Sequence, residues 1–148
     1  MLSSSAYMEE AMADTILTAQ YFKLETPDRP GEFARVLDVL RDAGVNLLGF
    51  AGFPRGRRDQ LDFILSDPAP FKTAAKQAKW KIKGPKTCFI VQGHDRPGAL
   101  TELLARLAAA RINVTALDAV CAGEDQYGAL LWVKPRDVKK AAKALGLA

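Results

Sequence analysis

Asp28-Arg29-Pro30-Gly31 returns as Asp95-Arg96-Pro97-Gly98, and each copy is followed at the same distance by an asparagine, Asn46 and Asn113 (95 − 28 = 113 − 46 = 67). Two features sharing one offset mark a duplicated unit and not a chance tetrapeptide. Outward from the first copy, Thr18 to Glu25 carries the β-favouring Tyr21 and Phe22 and reads as a strand stopped by Pro27. Beyond the loop, Phe33, Val36, Leu37 and Leu40 fall at i, i+3, i+4 and i+7, the apolar face of a helix. Pro30 suits the first helical turn, and Gly44 suits the left-handed residue that ends the helix.

Val45 to Phe53 then reads as a second strand, and Gln60 to Leu65 as a third after a turn rich in Gly and Arg. Pro68 to Ala78 reads as a second helix and Trp80 to Lys83 as a short fourth strand, giving βαββαβ. The second copy repeats the order: a strand at Cys88 to Val91, the helical stripe Leu100, Leu103, Leu104 and Leu107, strands at Ile112 to Cys121 and Tyr127 to Val133, and a helix opened by Pro135. There the match stops, because the position equivalent to Lys81 is Ala148 (81 + 67 = 148). The second unit therefore lacks a fourth strand of its own, and its sheet edge needs cover from the N-terminal extension or from another protomer. The expected fold class is α+β, two tandem βαββαβ ferredoxin-like units, with an N-terminal extension at 1–17 that reads as poorly ordered and units at 18–85 and 86–148.

The 148 residues are 49% apolar with a net charge of +4, the profile of a soluble globular protein. That charge is too small by itself to imply nucleic acid or membrane. No apolar run reaches the roughly 20 residues that span a bilayer, the N-terminus lacks the pattern of a signal peptide, and two cysteines without metal-ligand spacing suggest a reducing, cytoplasmic setting. Cys88 and Cys121 read as buried apolar residues on strands too far apart for a disulfide. No paired acid and base, activated nucleophile or metal cluster is evident, so an enzyme is the weakest reading, and neither a metal nor a cofactor is expected. The lysines from Lys72 to Lys86 and the arginines Arg55, Arg57 and Arg58 read as solvated faces and an exposed turn. Phe89 and Trp132 lack the glycine and basic pattern of an RNA-binding sheet.

The repeated loop carries the chemistry. A helix N-terminus offers unpaired N–H groups and a partial positive charge, suited to a carboxylate or phosphate. Gly31 and Gly98 leave the backbone approachable. Asp28 and Asp95 can cap the helix or accept a hydrogen bond from a ligand ammonium group, and an Asn supplies both donor and acceptor. Together they fit a free amino acid, although the same residues also make good helix-start chemistry. In a βαββαβ unit the loop and its own Asn sit at opposite ends of the helix and cannot share a ligand. If two units join side by side through their second strands, antiparallel, loop 28–31 faces Asn113 and loop 95–98 faces Asn46.

The pattern Asp-Arg-Pro-Gly-x-apolar, an apolar helix, and Ala-Gly-Val-Asn or Ala-Arg-Ile-Asn resembles the ACT domain, over nearly all of Thr18 to Ala148. The resemblance implies a free-standing regulatory protein without a catalytic domain, binding an amino acid between paired units. It implicates Asp28, Arg29, Pro30 and Gly31 with Asn113, and Asp95, Arg96, Pro97 and Gly98 with Asn46, and His94 lies in the second loop. Serine-binding members carry Asn in place of Asp28 and Asp95 and a His two positions earlier, where this chain has Thr26 and Gly93. The expected partners are an amino acid, an enzyme of amino-acid biosynthesis and a second copy of the chain, with neither nucleic acid nor membrane. The alternative is an interaction subunit that binds no small molecule itself.

Overall fold

The computed structural model describes residues 14–147; the expectation for positions 1–13 lies outside them. Strands β1 (Thr15–Pro27), β2 (Leu47–Arg55), β3 (Arg58–Leu65), β4 (Lys83–His94), β5 (Val114–Gly123) and β6 (Gln126–Val133) alternate with helices α1 (Glu32–Asp42), α2 (Pro68–Gln77), α3 (Thr101–Ala109) and α4 (Val138–Ala144). A 3₁₀ turn, Pro135–Asp137, leads into α4. The described residues divide into two compact units, one from Ala19 to Lys86 and one that joins Asp14 to Thr18 with Thr87 to Leu147.

In the first unit β3 lies between β1 and β2 in antiparallel register, Lys23 opposite Asp62 and Asp62 opposite Ala51. Lys83 to Lys86, the start of β4, lies beyond β1: a Cβ at Gly84 would stand 2.9 Å from the Tyr21 carbonyl oxygen. The core forms where the helical stripe meets the sheet. Val36 and Leu40 of α1 and Phe71 and Ala74 of α2 are buried against Phe22, Leu24, Leu61 and Phe63. The rings of Phe22, Phe63 and Phe71 stack at 5.1 to 5.3 Å, so truncating Phe71 to Ala removes about 3–5 kcal/mol. Trp80 and Ile82, expected on a fourth strand, do pack on this core, but strand pairing starts only at Lys83. Two expected strands, Trp80 to Lys83 and Cys88 to Val91, are thus replaced by the single strand β4.

In the second unit β6 lies between β4 and β5, with Leu131 opposite both Phe89 and Leu117. Leu103 and Leu107 of α3 and Ala141 of α4 pack on Phe89, Val91 and Leu131. The missing fourth strand is supplied by Thr15 to Thr18, beside β4, with Ile16 packed on the same core. The extension expected at 1–17 is therefore ordered strand from Thr15 onward. Its Thr-Ile-Leu-Thr stretch pairs with a partner some 70 positions away in sequence, beyond the reach of local pattern. In each unit the second strand, β2 or β5, is outermost, so the expected join through second strands is not among the pairings of the described residues. Cys88 is buried as expected, whereas Cys121 is exposed because β5 is an outer strand, and the two do not form a disulfide with each other.

Candidate functional site

Both copies of the loop turn the chain from a strand into a helix, and both glycines are left-handed, Gly31 at φ 86° and Gly98 at φ 70°. That backbone angle alone accounts for glycine here, since L-residues other than Gly adopt it at a cost of about 1–2 kcal/mol. Pro30 and Pro97 lie in the turn and not in the first helical turn, because α1 begins at Glu32 and α3 at Thr101. Neither helix has a side-chain cap, so Asp28 and Asp95 do not cap. Each Asn lies past its helix, exposed and one residue ahead of the second strand. Eleven residues of α1 separate Gly31 from that end, about 16 Å of helix, which keeps each loop away from its own Asn.

The two loops differ in what surrounds them. In the first, Arg29 and Arg35 both bind Glu32, at 3.1 and 2.8 Å, and these two cations hold the Glu32 carboxyl below its ordinary range. Asp59, buried at 8% exposure, has its carboxyl pushed up, first by desolvation and then by the negative charge of Asp28. A ligand carboxylate at this loop would meet two acidic groups. In the second loop Arg96 turns back on its own chain, donating to the carbonyl of His94 at 2.8 Å and facing Asp14 at 3.4 Å. The Asp95 N–H donates to the Asp125 carbonyl at 2.7 Å, tying the loop to the β5–β6 hairpin. The Tyr127 hydroxyl is buried without a hydrogen bond of good geometry; burial, with Asp14 beside it, pushes its pKa up to about 12.

A groove of about 390 Å³ opens beside the second loop, within the size range of small-molecule sites. Asp95, Gly98 and Thr101 form its polar end, and Leu100, Leu104, Val120 and Tyr127 its apolar walls. Of the residues expected from sequence, the groove brings together Asp95 and Gly98. His94, Arg96, Pro97 and Asn113 are not among its walls. That Thr101, Leu104 and the β5 segment Ala119 to Cys121 line a groove escaped the sequence reading, since nothing local in β5 marks which side faces α3.

The first unit has the same positions filled. Leu100 corresponds to Phe33 and Ala119 to Gly52 (100 − 33 = 119 − 52 = 67). The Phe33 ring lies over Gly52 so closely that a Cβ there would stand 2.6 Å from its Cε2. It also meets Phe50 edge-on at 6.2 Å. A ring thus occupies in the first unit the space that remains open in the second.

No protein-family model matches this sequence, and neither does any of the curated proteins. Solved structures do. A protein of Bacteroides thetaiotaomicron superposes with a TM-score of 0.76 at 18% identity, over 88% of each chain. The ligand-free regulatory subunit of aspartate kinase from Thermus thermophilus gives 0.61 at 17% identity, over 92% of this chain and 97% of that one. The regulatory subunit of aspartate kinase from Thermus flavus gives 0.57 at 16% identity, over 90% and 94%. The chain has the ACT fold. At these identities the likeness is one of ACT architecture, and the groove, not the likeness, says what this chain's own residues can hold. Among the described residues no group of three or more His, Cys, Asp or Glu side chains is placed to hold a metal ion. No helix among them is long and apolar enough to cross a membrane.

Proposed function

We propose that this chain is a non-catalytic regulatory protein that binds a free amino acid with an apolar side chain in the groove of its second ACT unit. The groove carries the reading. Asp95 offers a partner for the ligand ammonium group, the N-terminal end of α3 with Thr101 a partner for the carboxylate, and Leu100, Leu104 and Val120 a wall for the side chain. The site is completed by Asn46 of a second copy, whose β2 pairs antiparallel with β5; β2 and β5 are each the outermost strand of their unit. Val120 on β5, 66% exposed, and Phe53 on β2, 41% exposed, are apolar surface that such pairing would cover. Ligand then favours the paired state, and regulation follows from its preference for that state over the free one. A regulatory role toward an enzyme of amino-acid biosynthesis agrees with the names of the aspartate kinase subunits that share the fold.

A thermal-shift screen of the amino acids tests this. Ligand at 100 times its dissociation constant stabilises the folded state by about 2.7 kcal/mol, a shift of several degrees. Asn46→Ala should remove the shift and Asn113→Ala should leave it, since Phe33 already fills the first unit's groove. A folded protein that shifts with none of the amino acids rejects the reading and leaves the interaction subunit in its place.

A further inference from the structure

The first unit carries a second groove, of about 570 Å³, lined by eight Lys and Arg side chains against one carboxylate, Glu25. The cations converge from separate elements: Lys23 from β1, Arg35 from α1, Arg55 and Arg58 from the β2–β3 hairpin, and four lysines between positions 79 and 86. Arg35 is held by Glu32 at 2.8 Å, whereas the other seven have few carboxylate partners. Arg58 and Glu25 stand 3.8 Å apart, both about half exposed. Arg55 donates at 2.6 Å to the neutral Gln60, which in turn donates at 2.9 Å to the buried carboxyl of Asp62. Lys23 is pressed toward its neutral form, by burial first and then by the like charge of Lys86. So many cations gathered in one concavity focus a positive potential. A monocarboxylate would leave most of them unpaired, whereas a chain of phosphates, with several charges and acceptor oxygens matched to guanidinium forks, would not. Trp80, partly buried against the core, adds an aromatic surface to the same groove.

We propose that this groove binds a nucleoside polyphosphate, its phosphates among Lys23, Arg55, Arg58 and Lys86 and its base against Trp80. The site is separate from the amino-acid groove and does not rest on it. Calorimetric titration of the full chain at fixed salt, with ATP, tripolyphosphate and adenosine as probes, tests it. ATP should bind about tenfold more tightly than tripolyphosphate, because stacking of one base contributes about that factor, and adenosine should bind hardly at all. Lys23→Ala with Arg58→Ala should weaken ATP at least about tenfold. Lys139→Ala with Lys140→Ala, exposed on α4, should leave it unchanged. Trp80→Leu should reduce ATP to the level of tripolyphosphate, and Trp80→Phe, which keeps a ring, should restore most of the difference. Absence of tripolyphosphate binding, or equal weakening by the α4 pair, overturns the site. ATP binding no tighter than tripolyphosphate in the parent protein overturns the nucleoside.

Discussion

Gly93 has no space for a side chain. A Cβ there would collide with the Asp14 carboxylate and come within 2.8 Å of the Tyr127 ring. The position where serine-binding ACT domains carry a His is therefore closed here by the side chains of Asp14 and Tyr127. Gly93→Ala should cost about 1–3 kcal/mol by overpacking, read as a lower denaturation midpoint with an unchanged slope; an unaltered midpoint would mean that Asp14 simply moves aside. Asp62 makes a second prediction. It is 4% exposed, and its carboxyl is pushed above the ordinary 3.8 by burial, against the pull of Gln60, Lys23, Lys86 and Arg55. A carboxyl with a raised folded pKa holds its proton more tightly in the folded chain, so its burial becomes destabilising as pH rises above the unfolded value. Asp62→Asn keeps an acceptor for Gln60 without the charge. The variant should gain stability relative to the parent as pH rises above about 3.8, and a difference that stays flat through that rise would contradict the assignment.

Among the elements, the helical stripe was the most legible. Phe33, Val36, Leu37 and Leu40 and their counterparts Leu100, Leu103, Leu104 and Leu107 are all buried or partly buried against their sheets. Period fixes which side of a helix is apolar, but not whether that side fills its space. Both Phe33 and Leu100 count as apolar in the pattern, yet one closes a groove and the other leaves it open. The same pattern marks where each strand turns into its helix, whereas the groove, which needs β5 beside α3, leaves no such mark. Leu100→Phe with Ala119→Gly should reproduce the first unit's packing in the second. The double variant is expected to keep its melting temperature within a few degrees and to lose the amino-acid shift entirely; a retained shift would place the ligand elsewhere.

Across the whole chain, β1 and β4 each begin in one unit and end in the other. The repeat places the boundaries near residues 18 and 86, and the structure divides the described residues at Thr18/Ala19 and Lys86/Thr87. It assigns the stretch before the first boundary to the second unit, because the edge of β4 needs a strand and Thr15 to Thr18 supplies it. The repeat by itself does not say which segment lies beside β4, because strand pairing over so long a separation leaves no local pattern. Removing residues 1–18 should leave the rim of β4 bare. The shortened chain should melt well below the parent and aggregate at concentrations where the parent stays dispersed, as light scattering would record; equal stability would mean that Thr15 to Thr18 adds little to the second unit.

In order along the polypeptide, the first unit reads strand one to strand four, whereas the second reads strand four, a gap of 68 residues from Ala19 to Lys86, and then strands one to three. The second unit is thus a circular permutation of the first. Ile16 and Leu147, near opposite ends of the polypeptide, pack on one core. A permutant that joins the end of the chain to Asp14 by a short linker and opens at the Gly56 turn would therefore keep every strand beside its present neighbour, while giving the second unit a continuous sequence for the first time.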